Sequence, residues 1–204
     1  MKNTRWNRLE CTIALTLFFV LCYAAFCDTS QQKLADDVLR LRVVAASDRA
    51  EDQHIKLCVR DQILEILQPL RKQAASRDEM EQLVAQNMDA IITAAQQTVN
   101  SFGAQDTVSA TLRTEWYPTR EYDTFALPSG LYTGLQVRIG AADGHNWWCV
   151  LYPSLCTGAA EEQYLSEDEC NLIHRSDTGY ELRFRTAELL GSLRGWIYEE
   201  RMKE

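Results

Sequence analysis

The stretch from Gly144 to Cys156, GHNWWCVLYPSLC, constrains the fold more than any other part of the chain. Six consecutive apolar or aromatic residues, Trp147 to Tyr152, lie between a Gly-His-Asn turn and a Pro-Ser turn. A run this short and unbroken suits a strand buried on both faces, because a helix would need more length and a 3.6-residue period. On such a strand Trp147, Cys149 and Leu151 point one way, and Trp148, Val150 and Tyr152 the other. Two adjacent tryptophans then fill two layers, which requires material on both sides of a sheet. The stretch is therefore predicted to be the centre of the core.

The chain has 204 residues, 46% hydrophobic and 25% charged, enough for one globular domain with a sizeable core. Its first 27 residues are of a different kind. Lys2, Arg5 and Arg8 precede an uncharged stretch from Cys11 to Cys27 containing Ile13, Leu15, Leu17, Phe18, Phe19, Val20 and Leu21. This is the pattern of an export signal, with cleavage expected near Asp28 after Ala24, Ala25 and Cys27. The apolar part is at the short end for a bilayer span, so a retained anchor is the second reading. Without this segment the chain keeps 18 basic and 28 acidic residues, a net charge of −10. An acidic exported domain is repelled by nucleic acid and by anionic head groups, and both are discounted as partners.

Residues 28–36 read as a polar tether, and residues 37–204 as the folded domain. Val38 to Ala46 alternates Leu39, Leu41, Val43 and Ala45 against Arg40 and Arg42, the period of a half-buried strand. Asp48 and Glu51 have the spacing of a capping box before an amphipathic helix with Ile55, Cys58, Val59, Ile63, Ile66 and Leu67 on one face and Pro69 near its end. Ser76 and Glu79 repeat that signal before a second helix, Met80 to Val99, ending ahead of Gly103. Val108 to Trp116 reads as a strand with one wet face. Tyr117 to Gly130 is an aromatic-rich loop punctuated by Pro118 and Pro128. Leu135, Val137 and Ile139 mark a third strand, expected to form a hairpin with the Trp147 to Tyr152 strand. Residues 157–178 read as a mobile, acidic segment, followed by a strand from Tyr180 to Phe184 and a closing helix with Leu189, Leu190, Leu193, Trp196 and Ile197 on its apolar face. The predicted architecture is α+β: a single domain with a mixed, largely antiparallel sheet, two early helices and one late one.

Catalytic chemistry has one tempting constellation, Cys149 with His145 and Asp143, as nucleophile, base and orienting acid of an exported cysteine-dependent hydrolase. Along one strand, positions four apart are separated by about 13 Å, so the pair meets only if the Gly-His-Asn turn folds back. His54, His145 and His174 do not have the spacing of a zinc finger or a metalloprotease helix, and no metal or cofactor site is predicted. No phosphate-binding or dinucleotide-binding glycine pattern is present, and no small-molecule substrate is implied. Of the cysteines beyond the amino-terminal segment, Cys58, Cys149, Cys156 and Cys170 allow three full pairings. Cys149 with Cys156 is favoured, because Pro153 lies between them and a turn there can return the chain. Cys58 reads as a small buried hydrophobe.

Four stretches together resemble the stage II sporulation protein R family of endospore-forming bacteria: LRLRVVAASDRAEDQHIKLCVRDQILEIL from Leu39, YPTREYDTFALPSGLYTGLQVRIG from Tyr117, GHNWWCVLYPSLC, and ELRFRTAELL from Glu181. The third is the specific one, through Asn146, Trp147, Trp148, Cys149, Pro153 and Cys156. The resemblance implies a forespore-made signalling protein, not an enzyme, exported into the space between the two sporulation membranes. There it would activate a membrane-embedded aspartic protease of the mother cell, which cleaves the precursor of sigma-E. The family brings no catalytic residues to carry over. Recognition loops are enriched in Tyr, Trp and Arg on a rigid scaffold, which makes Tyr117, Arg120 and Tyr122 the expected protease-contacting residues.

Overall fold

The computed structural model describes residues 8–122 and 125–153. Over these the expected α+β domain with a mixed sheet is observed, in the order α1 (Arg8–Asp37), β1 (Leu39–Val44), α2 (Ala50–Gln73), α3 (Arg77–Gln86), α4 (Met88–Ser101), β2 (Val108–Tyr117), β3 (Arg120–Glu121), β4 (Ala126–Leu127), β5 (Gly130–Ile139) and β6 (Asn146–Tyr152). The expected segment 157–178, the strand from Tyr180 and the closing helix lie outside the described residues, as does Cys156. Backbone contacts group the chain into two compact units. One holds Leu34–Tyr117 and the described residues from 131 onward; the other holds the described residues up to Lys33 together with Pro118–Gly130.

In the first unit the sheet order is β2-β5-β1-β6, with β1 parallel to β5 and antiparallel to β6. Two expectations are corrected here. The third strand and the Trp147 to Tyr152 strand form no hairpin, because β1 lies between β5 and β6. And β6 is not the central strand: among the described residues it is an edge, while β5 and β1 occupy the middle. β1 is not half-wet, since Arg40 as well as Leu39, Leu41 and Val43 is fully buried, and a strand dry on both faces belongs inside the sheet.

One face of the sheet carries an aliphatic core. Leu39, Leu41 and Val43 of β1, Leu135, Val137 and Ile139 of β5, and Cys149 and Leu151 of β6 pack with Ile55, Val59, Ile63 and Leu67 of α2, Met80 and Val84 of α3, and Ile91, Ala95 and Val99 of α4. The helical spacing of these residues gives each helix one apolar stripe, and burying those stripes drives the layer together.

Helix starts follow the sequence in one case and not in the other. At α3, Ser76 Oγ accepts from the Glu79 backbone N–H (3.2 Å), and Glu79 Oε2 accepts from the Ala75 N–H (2.8 Å). At α2 the cap position is Arg49, without a side-chain cap, so Asp48 does not cap the helix. Pro69 lies inside α2, which runs on to Gln73. The helix expected from Met80 to Val99 is two helices broken at Asn87, whose Nδ2 donates to the Leu83 carbonyl (2.8 Å) and so competes with the helical ladder.

In the other unit, Ile13, Leu15, Leu17, Phe18, Phe19, Val20 and Leu21 of α1 are all exposed. The helix continues through the stretch expected to be a polar tether. Among the described residues no helix is long and apolar enough to cross a membrane. β3 and β4 form a small antiparallel ribbon, Arg120 opposite Leu127 and Glu121 opposite Ala126.

Candidate functional site

The face of the sheet opposite the aliphatic core is built around a buried cation. Arg40, on β1, is opposite Gly134 of β5 and Val150 of β6. Its guanidinium carbon lies 4.6 Å from the ring centre of Tyr117, 5.0 Å from Tyr132 and 5.8 Å from Trp148. The rings also pack edge to face on one another, Tyr117 against Tyr132 at 6.1 Å and against Trp148 at 5.3 Å. A cation taken out of water among three ring faces is held by their quadrupoles, an attraction that strengthens as solvent is excluded.

Glycine is required at position 134 for this arrangement. A Cβ there would fall 2.0 Å from the Tyr117 hydroxyl oxygen and 3.1 Å from the Arg40 carbonyl oxygen. The missing side chain is the space through which Tyr117 reaches across β5 to Arg40.

Beside the ring cluster lies a second layer of charge. Arg42 stands over Trp148 at 4.9 Å, pairs with Glu115 (3.5 Å), and donates from Nε to Asn146 Oδ1 (2.9 Å). Arg113 donates to Glu115 (2.7 Å) and to Gln136 Oε1 (2.8 Å). Glu115 therefore serves two arginines. Burial, and next the nearby Glu115 carboxylate, push the Tyr117 phenol far above its ordinary value, so it stays protonated throughout the neutral range.

The residues singled out in the sequence fall into this frame unevenly. Trp147 and Trp148 enter two layers as expected: Trp147 packs against the aliphatic core and under Arg60 of α2 (4.9 Å), while Trp148 joins the ring cluster. A register shift between Leu39 and Arg40 carries Tyr152 as well as Leu151 into the helix-side core, against the alternation predicted for them. Pro153 is buried at the end of β6. Of the loop residues, Tyr117 is fully buried at the end of β2 and offers no surface. Arg120 and Tyr122, in the other unit, are half-buried. Tyr122 stacks on Phe125 at 4.5 Å and its N–H donates to the Phe125 carbonyl (2.8 Å).

The Cys149 and His145 constellation is not assembled. Cys149 is buried in the aliphatic core, its thiol directed at the Val150 carbonyl (3.5 Å). His145 is highly exposed, and its Nδ1 meets Asp48 rather than Asp143. The Asp48 carboxylate also accepts from the His145 N–H (2.6 Å) and is held below the ordinary carboxyl value, through the ring hydrogen bond first and the backbone one second. Lys56 Nζ completes the fastening by donating to the His145 carbonyl (3.1 Å), and burial pushes its ammonium down. Gly144 permits the close approach, since a Cβ there would lie 2.3 Å from the Ser47 carbonyl oxygen. The Gly-His-Asn turn thus ties β6 to the loop between β1 and α2. That is a structural duty.

Sequence reasoning missed Arg40, Glu115, Tyr132 and Gly134. The available signal was the Tyr-Thr-Gly step at residues 132–134 beside two arginines on a strand otherwise wholly apolar.

Comparison with known proteins covers the span that builds this frame. The family model described as Stage II sporulation protein R matches residues 35–162. Stage II sporulation protein R of Bacillus subtilis (strain 168) is 32% identical over 123 residues, which are 60% of this chain and 55% of that protein. The match thus spans about half of the relative's length. No solved structure matches. Because the matched span runs from the end of α1 through β1, the three packed helices and every strand of the main sheet, the chain belongs to the stage II sporulation protein R family.

Proposed function

We propose that this chain is an exported signalling factor of sporulation, acting between forespore and mother cell to activate a membrane-embedded aspartic protease that cleaves the sigma-E precursor. The observation that carries this reading is the family match over residues 35–162. The amino-terminal residues add to it, with Lys2, Arg5 and Arg8 ahead of an uncharged apolar stretch as export requires. The side chains that nucleophilic catalysis would need are engaged otherwise: Cys149 is in the core and His145 fastens a turn. Co-production of this chain, the protease and the precursor in a heterologous cell tests the proposal. Processing should appear only when the chain is present and exported; processing at the same level without it, or none with it, would sink the reading.

Within that function, Arg120 and Tyr122 are the proposed protease contacts. Arg120 lies in a short ribbon and Tyr122 directly follows it; both are half-buried, and the stacking of Tyr122 on Phe125 anchors the segment. Arg120→Ala should lower precursor processing while the circular dichroism spectrum is unchanged. Normal processing in Arg120→Ala and in a folded Tyr122→Ala would remove the ribbon from consideration.

A further inference from the structure

Outside the ring cluster, α2 carries a pair of side chains that the proposed signalling role leaves unused. His54 and Cys58 are four residues apart on one exposed face of the helix, and the His54 Nε2 lies 3.8 Å from the Cys58 sulfur. Cys58 is half-buried, not fully buried as its place in the helix pattern predicts. The imidazole is steadied from the side by Phe102, packed edge to face on it at 5.5 Å.

We propose that His54 and Cys58 form a two-donor site for a thiophilic divalent cation, with Zn2+ as the representative ion. A tetrahedral zinc ion with a thiolate and an imidazole at their usual bond lengths places sulfur and nitrogen about 3.6 Å apart. The observed 3.8 Å therefore needs only a small side-chain rotation to close on a metal. Spacing of i and i+4 on a helix holds both donors on one side, so little conformational freedom is lost on binding. On binding, the Cys58 thiol gives up its proton to solvent and the sulfur enters as thiolate, while His54 binds as neutral imidazole through Nε2.

The surroundings favour such a site. Phe102, one of the few large apolar side chains exposed outside α1 among the described residues, stands against the imidazole. An apolar rim lowers the local dielectric and strengthens the attraction between ion and thiolate. No third His, Cys, Asp or Glu completes a ligand set there among the described residues, so the remaining coordination positions fall to water.

Titration of the reduced full chain with Co2+, followed by absorption, tests the proposal. One equivalent should give a thiolate-to-cobalt charge-transfer band that Zn2+ abolishes. Cys58→Ser should lose the band. His54→Gln should weaken binding by at least about tenfold, since loss of even an outer-shell partner costs 10–100-fold. Glu51→Gln, on the first turn of the same helix, should bind as the wild type does. Unchanged near-ultraviolet circular dichroism in each variant shows that the fold is kept. Absence of the band in the wild type, its persistence in Cys58→Ser, or undiminished affinity in His54→Gln would overturn the assignment.

Discussion

The two faces of the main sheet are closed by different physics, although a single strand supplies both. β1 sends Leu39, Leu41 and Val43 to the helices and Arg40 and Arg42 to the other side. On the helix side, burial is aliphatic and non-directional, and its strength follows area removed from water. On the arginine side it is directional: three rings around one guanidinium, and one glutamate shared by two further arginines. Alternation of apolar and charged residues usually marks a dry face and a wet one. At Arg40 both are dry, because tyrosine and tryptophan rings bring enough carbon to exclude solvent there, while Arg42 beside it stays part-exposed.

The largest effect in a test of this contrast is expected from Arg40→Ala. It opens the space of a large side chain and strips three rings of their cation, which should cost about 4 kcal/mol in denaturant unfolding. Arg40→Met sharpens the point by keeping volume without charge. It should still be less stable than the wild type; equal or higher stability would show that the rings respond to bulk alone, as some buried charges replaced by apolar residues do.

Next in size is the neighbour on the other face. Leu41→Ala should lose about 3 kcal/mol, the usual cost of a cavity in an aliphatic core. Because the two side chains point to opposite sides, the Arg40→Ala and Leu41→Ala losses should add in the double variant. A large deviation from additivity would mean that the faces are not independent.

A smaller loss, about 2 kcal/mol, is expected for Gly134→Ala, whose new methyl collides with the end of the Tyr117 side chain. Tyr117→Phe removes the nearest colliding atom, so the double variant should recover part of the loss. Simple addition of the two penalties would contradict the close approach.

The smallest effect belongs to the fastening at the edge of the sheet. Asp48 is held below 3.8 by His145, so its contribution to stability is present above that pH and lost as pH falls through the folded-state value. His145→Ala should slightly lower the thermal midpoint at pH 7 and make the decline below pH 3.8 shallower. Curves that stay parallel to the wild type's through the acid range would show that the pair carries no linked proton.

Local pattern alone was enough to place β1, α2, β2, β5 and β6 and to assign the α+β class, because apolar period reports which way each side chain must face. It also put Trp147 and Trp148 in separate layers. It could not say which strands are neighbours. The order β2-β5-β1-β6 depends on β1 being dry on both sides, and dryness at Arg40 comes from Tyr117, Tyr132 and Trp148, residues far from it in the chain. The same holds at the turn before β6. His145 looked like a base for Cys149 because the two are close in sequence, whereas strand geometry sends the thiol into the core and the backbone approach at Gly144 brings the ring to Asp48. Side-chain period is a local property that a sequence displays directly; the pairing of distant polar groups is set only when packing has brought their strands and loops together.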